Sequence, residues 1–230
     1  MWSGIQKKQS FLKGGFKMGL NIRSFILGPL MTNAYLLWDE ASGHGVIVDP
    51  GTGPDQLVKA IAELKLTIDA ILLTHAHFDH IGGVEDVRQA TNAPVYIHEK
   101  EAAWLTDPQQ NGSSRFGGGV VRAGEADIIL SGTEKLTLLG REVAVLHTPG
   151  HSPGSVSYYW SEEQLIVSGD VLFQGSIGRT DLPEGDYETL MASIETLTAL
   201  PEQTAVYPGH GPKTTLEAEQ HANPFLSGLM

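Results

Sequence analysis

The chain contains no cysteine. Disulfides, thiolate metal ligands and thiol nucleophiles are thereby excluded, although this absence alone does not fix the compartment. Basic residues are sparse: 15 Lys and Arg stand against 27 Asp and Glu, for a formal charge of −12 with His neutral. No Lys/Arg-rich run occurs anywhere. Neither a nucleic-acid backbone nor an anionic membrane surface is therefore an expected partner, and a small-molecule substrate is. No apolar stretch approaches the ~18 residues that a membrane helix needs. The first residues also lack the apolar core of a secretory signal, since Lys7, Lys8 and Lys13 surround only the isolated pair Phe11-Leu12. A cytoplasmic location is expected, with the oligomeric state left open.

What is present suits one domain with a sizeable core, because a chain of 230 residues buries roughly 70% of its unfolded surface. Residues 1–17 are expected to be a disordered leader, translated upstream or derived from cloning, and residues 18–230 the domain. Back-translated, Lys13-Gly14-Gly15-Phe16-Lys17-Met18 can read as a purine-rich ribosome-binding sequence before an ATG, which makes Met18 the natural start.

Strands and helices alternate without repeats. Residues 21–27, 34–38 and 45–48 read as strands separated by Gly-Pro and Ser-Gly turns. Residues 56–64 carry Leu57, Val58, Ile61 and Leu64 at helical spacing, and residues 84–90 follow Gly82-Gly83 as a second helix. A strand over 94–98 precedes a short helix over 99–104. Strands are then expected over 127–130, 135–138, 143–146, 156–160 and 165–167. A helix over 187–200 carries Leu190, Met191, Ile194 and Leu197, and Thr215 is placed to cap a last helix through His221. Two strand-rich halves, each with helices, fit an α/β domain built as a four-layer αββα sandwich.

The densest chemistry is His75-Ala76-His77-Phe78-Asp79-His80, four potential ligands in six residues, directly after the apolar run 70–73. In extended chain, residues two apart point to one side, so His75 and His77 face one cavity, and a following turn brings Asp79 and His80 to it. Imidazoles with one carboxylate suit zinc, iron or manganese. His151 in Pro149-Gly150-His151-Ser152-Pro153-Gly154, Asp170 after Ser168-Gly169, and His210 in Pro208-Gly209-His210-Gly211 each follow an apolar run and sit between turn-forming residues. Function on loops at one end of a rigid sheet is the expected arrangement.

A rival reading uses Ser152 as nucleophile, because Gly150-His151-Ser152-Pro153-Gly154 satisfies G-x-S-x-G and Ser152, Asp170 and His210 follow in the order of that class. Against it, Pro153 has no N–H to help form an oxyanion hole, and the 75–80 cluster is left without a task. His98 and His147 end strands and stand beside the site as supports; His44 and His221 are expected in solvent. Residues 107–124 form the clearest loop, either a mobile surface segment or a lid over the metals, with Arg115 and Phe116 its residues of interest.

Asp49 in Val48-Asp49-Pro50-Gly51, the 75–80 cluster, His151, Asp170 and His210 together, in this order, resemble the metallo-β-lactamase-fold superfamily over about residues 21–212. The resemblance implies an αββα sandwich with two divalent metal ions, Zn(2+) first and Fe or Mn as substitutes. It implies that His75, His77 and His151 hold one metal, Asp79, His80 and His210 the other, that Asp170 bridges them, and that Asp49 steadies the histidine motif. His80 and Asp170 look like the glyoxalase II, lactonase and RNase Z type of site. The stretch Gly169–Asp181 is similar to short glyoxalase II-like (hydroxyacylglutathione hydrolase-like) proteins and to persulfide dioxygenases. In these, the position of Arg179 carries a basic side chain that binds substrate; the alternative for Arg179 is an ion pair with Asp181 or Asp186. Only residues 211–230 follow His210 here, so the expected match is to short glyoxalase II-like hydrolases and not to the long form with its helical C-terminal domain. The expected chemistry is a metal-bridged hydroxide, with Asp79 steering its proton, attacking a thioester or ester such as S-lactoylglutathione. Alternatives are a mononuclear iron persulfide dioxygenase and, less in keeping with Asp170, lactonase or β-lactamase-like activity.

Overall fold

Two sets of strands alternate so that odd and even residues are both apolar, which is the pattern of sheets buried on both faces. The computed structural model describes residues 19–115 and 119–226; the expected leader over residues 1–17, Met18 and Phe116 lie outside them. The first half contains β1 (Asn21–Leu27), β2 (Thr32–Asp39), β3 (His44–Val48), α1 (Asp55–Leu64), β4 (Thr67–Leu72), α2 (Phe78–Ile81), α3 (Val84–Thr91), β5 (Val95–His98) and β6 (Ile128–Leu130). Two 3-10 segments, Glu99–Leu105 and Ser113–Arg115, lie between the last two. The second half contains β7 (Lys135–Leu138), β8 (Arg141–His147), β9 (Val156–Trp160), β10 (Leu165–Gly169), β11 (Leu172–Phe173), β12 (Ser176–Ile177), α4 (Tyr187–Thr198), β13 (Ala205–Pro208), β14 (Thr214–Thr215) and α5 (Leu216–Ala222). One six-stranded sheet has the order β1-β2-β3-β4-β5-β6 and the other β14-β13-β10-β9-β8-β7.

The period of two sorts the side chains into three cores. Leu36, Ile47 and Ile71 face outward from the first sheet onto Leu57 and Ile61 of α1 and Val84 and Val87 of α3. Their neighbours Tyr35, Leu37, Val46, Val48, Ala70 and Leu72 point the other way, against Val143, Val145, Tyr158, Trp160 and Val167 of the second sheet. Ile166 and Val206 face outward again, onto Leu190, Ile194 and Leu197 of α4 and Leu216 of α5. Helix, sheet, sheet and helix are therefore the four layers, as the sequence pattern predicts. Truncating a fully buried residue of the middle core such as Leu37 to Ala costs about 2–5 kcal/mol.

The differences from the sequence reading are local. Asp79 and His80 sit on the one-turn helix α2 rather than on a turn, and the helix expected at Glu99 is a 3-10 segment. On α1 the buried stripe is Leu57, Ala60 and Ile61, while Leu64 is exposed. The strand pairs β11-β12 and β13-β14 were beyond reach of periodicity, because their two-residue members (β11, β12 and β14) show no period. Thr215 caps α5 as expected, its hydroxyl accepting from the Ala218 N–H at 3.2 Å.

Candidate metal centre

Strand direction explains why distant residues meet. β3 and β4 run parallel; β9 is antiparallel to both β8 and β10, and β13 is parallel to β10. The C-terminal ends of β3, β4, β8, β10 and β13 lead into the loops that carry Asp49, the 75–80 segment, His151, Asp170 and His210. The two sheets are tied at this edge: the Val156 N–H donates to Thr74 O at 2.8 Å and the Asn33 N–H to Gly209 O at 2.7 Å. The Tyr158 hydroxyl donates to Leu73 O at 2.9 Å and the Tyr35 hydroxyl to Pro208 O at 2.6 Å. Gly209 is demanded by close approach, since a Cβ there would overlap Asp170 Oδ1 and crowd His80 Cε1.

All seven ligand candidates converge, in two groups that share an edge. His75, His77 and His151 place one nitrogen each within a common space, as do Asp79, His80 and His210 with their ligand atoms, within 4.8 Å of one another. His77 Nδ1 lies 2.9 Å from His151 Nε2, and the His75 ring centroid lies 4.8 and 4.9 Å from those of His77 and His151. In the second group His210 Nε2 is 3.2 Å and His80 Nε2 3.5 Å from Asp79 Oδ2. Asp170 stands between the groups: Oδ1 is 3.4 Å from His80 Nε2, and Oδ2 is 3.5 Å from both His151 Nε2 and His210 Nε2.

Four rings are oriented by an acceptor on their outward nitrogen. His151 Nδ1 donates to Arg179 O at 2.8 Å, His210 Nδ1 to Leu30 O at 3.1 Å and His80 Nδ1 to Asp49 Oδ2 at 3.0 Å. The Thr74 hydroxyl donates to Asp49 Oδ2 at 2.6 Å, so it accepts from His75 Nδ1 at 3.1 Å. Each contact holds a proton on the outward Nδ1 and turns Nε2 towards the shared space, where a neutral ring offers its lone pair. Asp49, with φ +51, also accepts the Thr74 N–H at 2.8 Å; it is the brace of the histidine segment that the sequence reading expected. Buried His75 Nε2, His80 Nε2 and Asp170 Oδ1 have no hydrogen-bond partner. Buried ligand atoms converging without hydrogen-bond partners fit divalent cations of the zinc, iron or manganese kind.

The charges agree. Burial, then the like-charged rings of His80, His77 and His151, holds His75 well below its ordinary value, and burial with His151 pushes His77 down to about 3. For His80, burial is outweighed by Asp79, Asp170 and Asp49, which raise it well above its ordinary value. His210 rises to about 9 because hydrogen bonds to Asp170 and Asp79 overcome its burial. Against their own burial, the charge of His80 and a hydrogen bond from His210 bring Asp79 down to about 2 and hold Asp170 well below the carboxylate range. In the metal-free protein two protons thus sit where a cation's charge would sit.

A cavity of about 380 Å³ opens onto the site, lined among others by Phe78, Phe173, Leu182, Arg115 and Arg179. Residues 110–112 and Arg115 of the expected loop form one wall. Buried Asn111 pins that wall: its side chain donates to Trp104 O and Val121 O at 3.2 and 3.0 Å, and its carbonyl accepts the Phe78 N–H at 3.0 Å. Arg179 pairs with Asp181 through two bonds of 2.7 and 2.8 Å, one of the two outcomes expected for it, while still lining the cavity. Arg115 is exposed and lines the same cavity.

Residues 27–210 match the family model described as the Metallo-beta-lactamase superfamily. The chain belongs to that superfamily. It is 49% identical over 208 residues to the probable metallo-hydrolase YqgX of Bacillus subtilis, covering 90% of this chain and 98% of that protein. It is 36% identical over 210 residues to the hydroxyacylglutathione hydrolase GloC of Haemophilus influenzae, covering 90% and 99%. Among solved structures, the BLEG-1 B3 metallo-beta-lactamase superposes with TM-score 0.87 at 50% identity, over 90% of this chain and all of that one. TTHA1623 in a di-iron-bound form gives 0.78 at 40% identity, over 89% and 100%, and ETHE1 from Myxococcus xanthus gives 0.73 at 28%, over 90% and 85%.

Within this metallo-β-lactamase-fold site, three supports escaped the sequence reading. Thr32 donates to Asp79 Oδ2 at 2.7 Å, Thr74 links Asp49 to His75, and fully buried Glu101 joins two ligand loops. Glu101 shares the buried side of its segment with Trp104 and Leu105, and no local pattern marks it. The serine-hydrolase alternative is overturned. Ser152 is buried, its hydroxyl donating to Glu101 Oε1 at 2.5 Å and sitting 2.7 Å from Ser155 Oγ. His98 and His147 stack on each other at 4.4 Å with rings 6° from parallel; His147 Nε2 lies 3.0 Å from Pro153 O, in the loop that carries His151, while His98 Nε2 lies 3.1 Å from Ser131 O. His221 is exposed as expected, whereas His44 Nδ1 lies 2.6 Å from Asp69 Oδ1.

Proposed function

We propose that this metallo-hydrolase-superfamily member is a binuclear hydrolase of thioesters or esters of the glyoxalase II kind, acting on S-lactoylglutathione or a related small thioester. The observation that carries the reading is the placement of Asp170 between two groups of inward-facing ligand atoms. In this reading His75, His77 and His151 hold one cation, Asp79, His80 and His210 hold the other, and Asp170 reaches both; Zn(2+) suits the set, and iron or manganese fits the same donors. A bound pair of such cations supplies Lewis acidity and lowers the pKa of a water towards ~7.

The chain's own residues do the rest. Asp79, ionised at neutral pH and fixed by the Thr32 hydroxyl, steers the nucleophile's proton where the cavity meets the site. Phe78, Phe173 and Leu182 cover the wall with apolar surface, which strengthens the electrostatics by keeping water out. Arg115 and Arg179 offer guanidinium groups to the anionic end of a substrate and so orient its carbonyl. Near full-length similarity to GloC, without a further domain in that relative, supports the short glyoxalase II-like reading.

The test is a turnover screen of S-lactoylglutathione, other thioesters, lactones, a β-lactam and phosphodiesters, with metals quantified by elemental analysis. The expected result is two cations per chain and fastest turnover on a thioester, lost on chelation. The di-iron-bound TTHA1623 neighbour makes iron a live alternative. One iron per chain, with oxygen consumed on glutathione persulfide and no thioester cleaved, would replace the hydrolase by the dioxygenase.

A further inference from the structure

We infer that Glu101 is a positioning residue for the first ligand group alone, a buried carboxylate that clamps together the two loops carrying His75, His77 and His151. The inference rests on the two-cation reading given above.

Glu101 comes from the 3-10 segment after β5 and is fully buried. Its Oε2 accepts the N–H of Ala76, the residue between His75 and His77, at 2.5 Å. Its Oε1 accepts the hydroxyl of Ser152, next to His151, at 2.5 Å and the Gly154 N–H at 2.7 Å. The loop packs so closely that a Cβ on Gly154 would lie 2.9 Å from Glu101 Cγ. One side chain thus links segments 25 and 51 positions away in sequence.

The other group has different supports. Asp79 leans on Thr32, His80 on Asp49 and His210 on Leu30 O. Two links join the systems among the described residues: His75 through Thr74, and the His80 N–H, which donates to His77 O at 3.0 Å. Three donors converge on Glu101, and a carboxylate meets them because both its oxygens only accept. An amide cannot: Glu101→Gln turns an N–H2 towards one of the existing donors and leaves it unsatisfied. Outer partners of this kind change metal affinity by 10–100-fold.

The experiment is a competitive Zn(2+) titration of wild type and Glu101→Gln, starting from metal-free protein and counting binding steps. Wild type should show two steps. In the variant one step should weaken by roughly 10–100-fold while the other stays within about twofold. A general loosening of the fold would weaken both, so that outcome overturns the inference, as does a variant whose two steps match wild type. A wild type that takes up no cation sinks the two-cation reading itself, which separates the two failures. Should the variant not fold, hydrogen exchange on metal-free wild type decides: the Ala76 and Gly154 amides should remain protected when the metals are gone. Rapid exchange at both would mean that the cations, not Glu101, hold the loops.

Discussion

Side chain by side chain, the candidate centre is a set of acceptors aimed inward and donors turned outward, and that division makes single substitutions decisive. Asp170→Ala removes a carboxylate that lies within 3.5 Å of an Nε2 in each group. It should leave at most one tightly bound cation per chain and cut turnover to the edge of detection, checked by elemental analysis beside the thioester assay. Full activity with two cations would contradict the assignment. Ser152→Ala offers the reverse test. A serine nucleophile's loss costs on the order of 10⁶ in turnover, whereas the loss of one of three donors to Glu101 should cost under about a hundredfold. The ligand candidates were legible in the sequence, His75, His77, Asp79 and His80 by their density after an apolar run and His151, Asp170 and His210 because each stands beside a turn-forming glycine beyond such a run. Glu101 and Thr32 were not, since an acidic residue in a short helix or a threonine opening a strand acquires its meaning only from chain that lies far away in sequence.

Among the elements, the strands of both sheets were readable because residues of either parity are apolar and the runs are short. Their ends mattered more than their lengths: those of β4, β8, β10 and β13 lead to the ligand candidates and that of β3 to Asp49, and the pairing that aligns them has no local signature. The same holds for α2, one turn long, whose Asp79 and His80 were assigned to a turn. Tyr158 of β9 tests the tie between the layers. Its hydroxyl reaches Leu73 O, two residues before His75, and the ring is fully buried. Tyr158→Phe strands that carbonyl and should lower stability by about 1–3 kcal/mol, read as an earlier midpoint in urea with unchanged slope. The cavity wall gives a second test. Arg115 stands on the 3-10 segment Ser113–Arg115, and if it receives the anionic end of the substrate, Arg115→Ala should raise KM by roughly tenfold, the weight of one charged hydrogen bond, with kcat nearly unchanged. An equal fall in kcat and kcat/KM would instead place Arg115 on the reacting group.

For the whole molecule, the buried histidines tie stability to pH in opposite directions, and metal binding resolves the opposition. In metal-free protein His210, raised to about 9, and His80, raised above its ordinary 6.5, stabilise the fold fully below pH 6.5; that contribution is lost as pH climbs through their folded values. His75 and His77 are lowered, His77 to about 3, so the unfolded chain takes up protons below pH 6.5 that the folded chain refuses, and stability falls on the acid side too. Asp79, held at about 2 instead of 3.8, adds stability above pH 4 that disappears only as pH drops towards 2. Metal-free protein should therefore melt highest near pH 6.5. Loading cations displaces the protons of His80 and His210, so affinity must rise with pH as each ring becomes neutral, His210 at about 9. The difference in Tm between zinc-loaded and chelated protein should accordingly widen from pH 6 to pH 9, because the loaded form keeps what the metal-free form loses. Melting curves of both forms at pH 6, 7.5 and 9 measure this directly. A constant gap would mean that the cations compete with no proton, and hence that His80 and His210 do not lie where a cation binds.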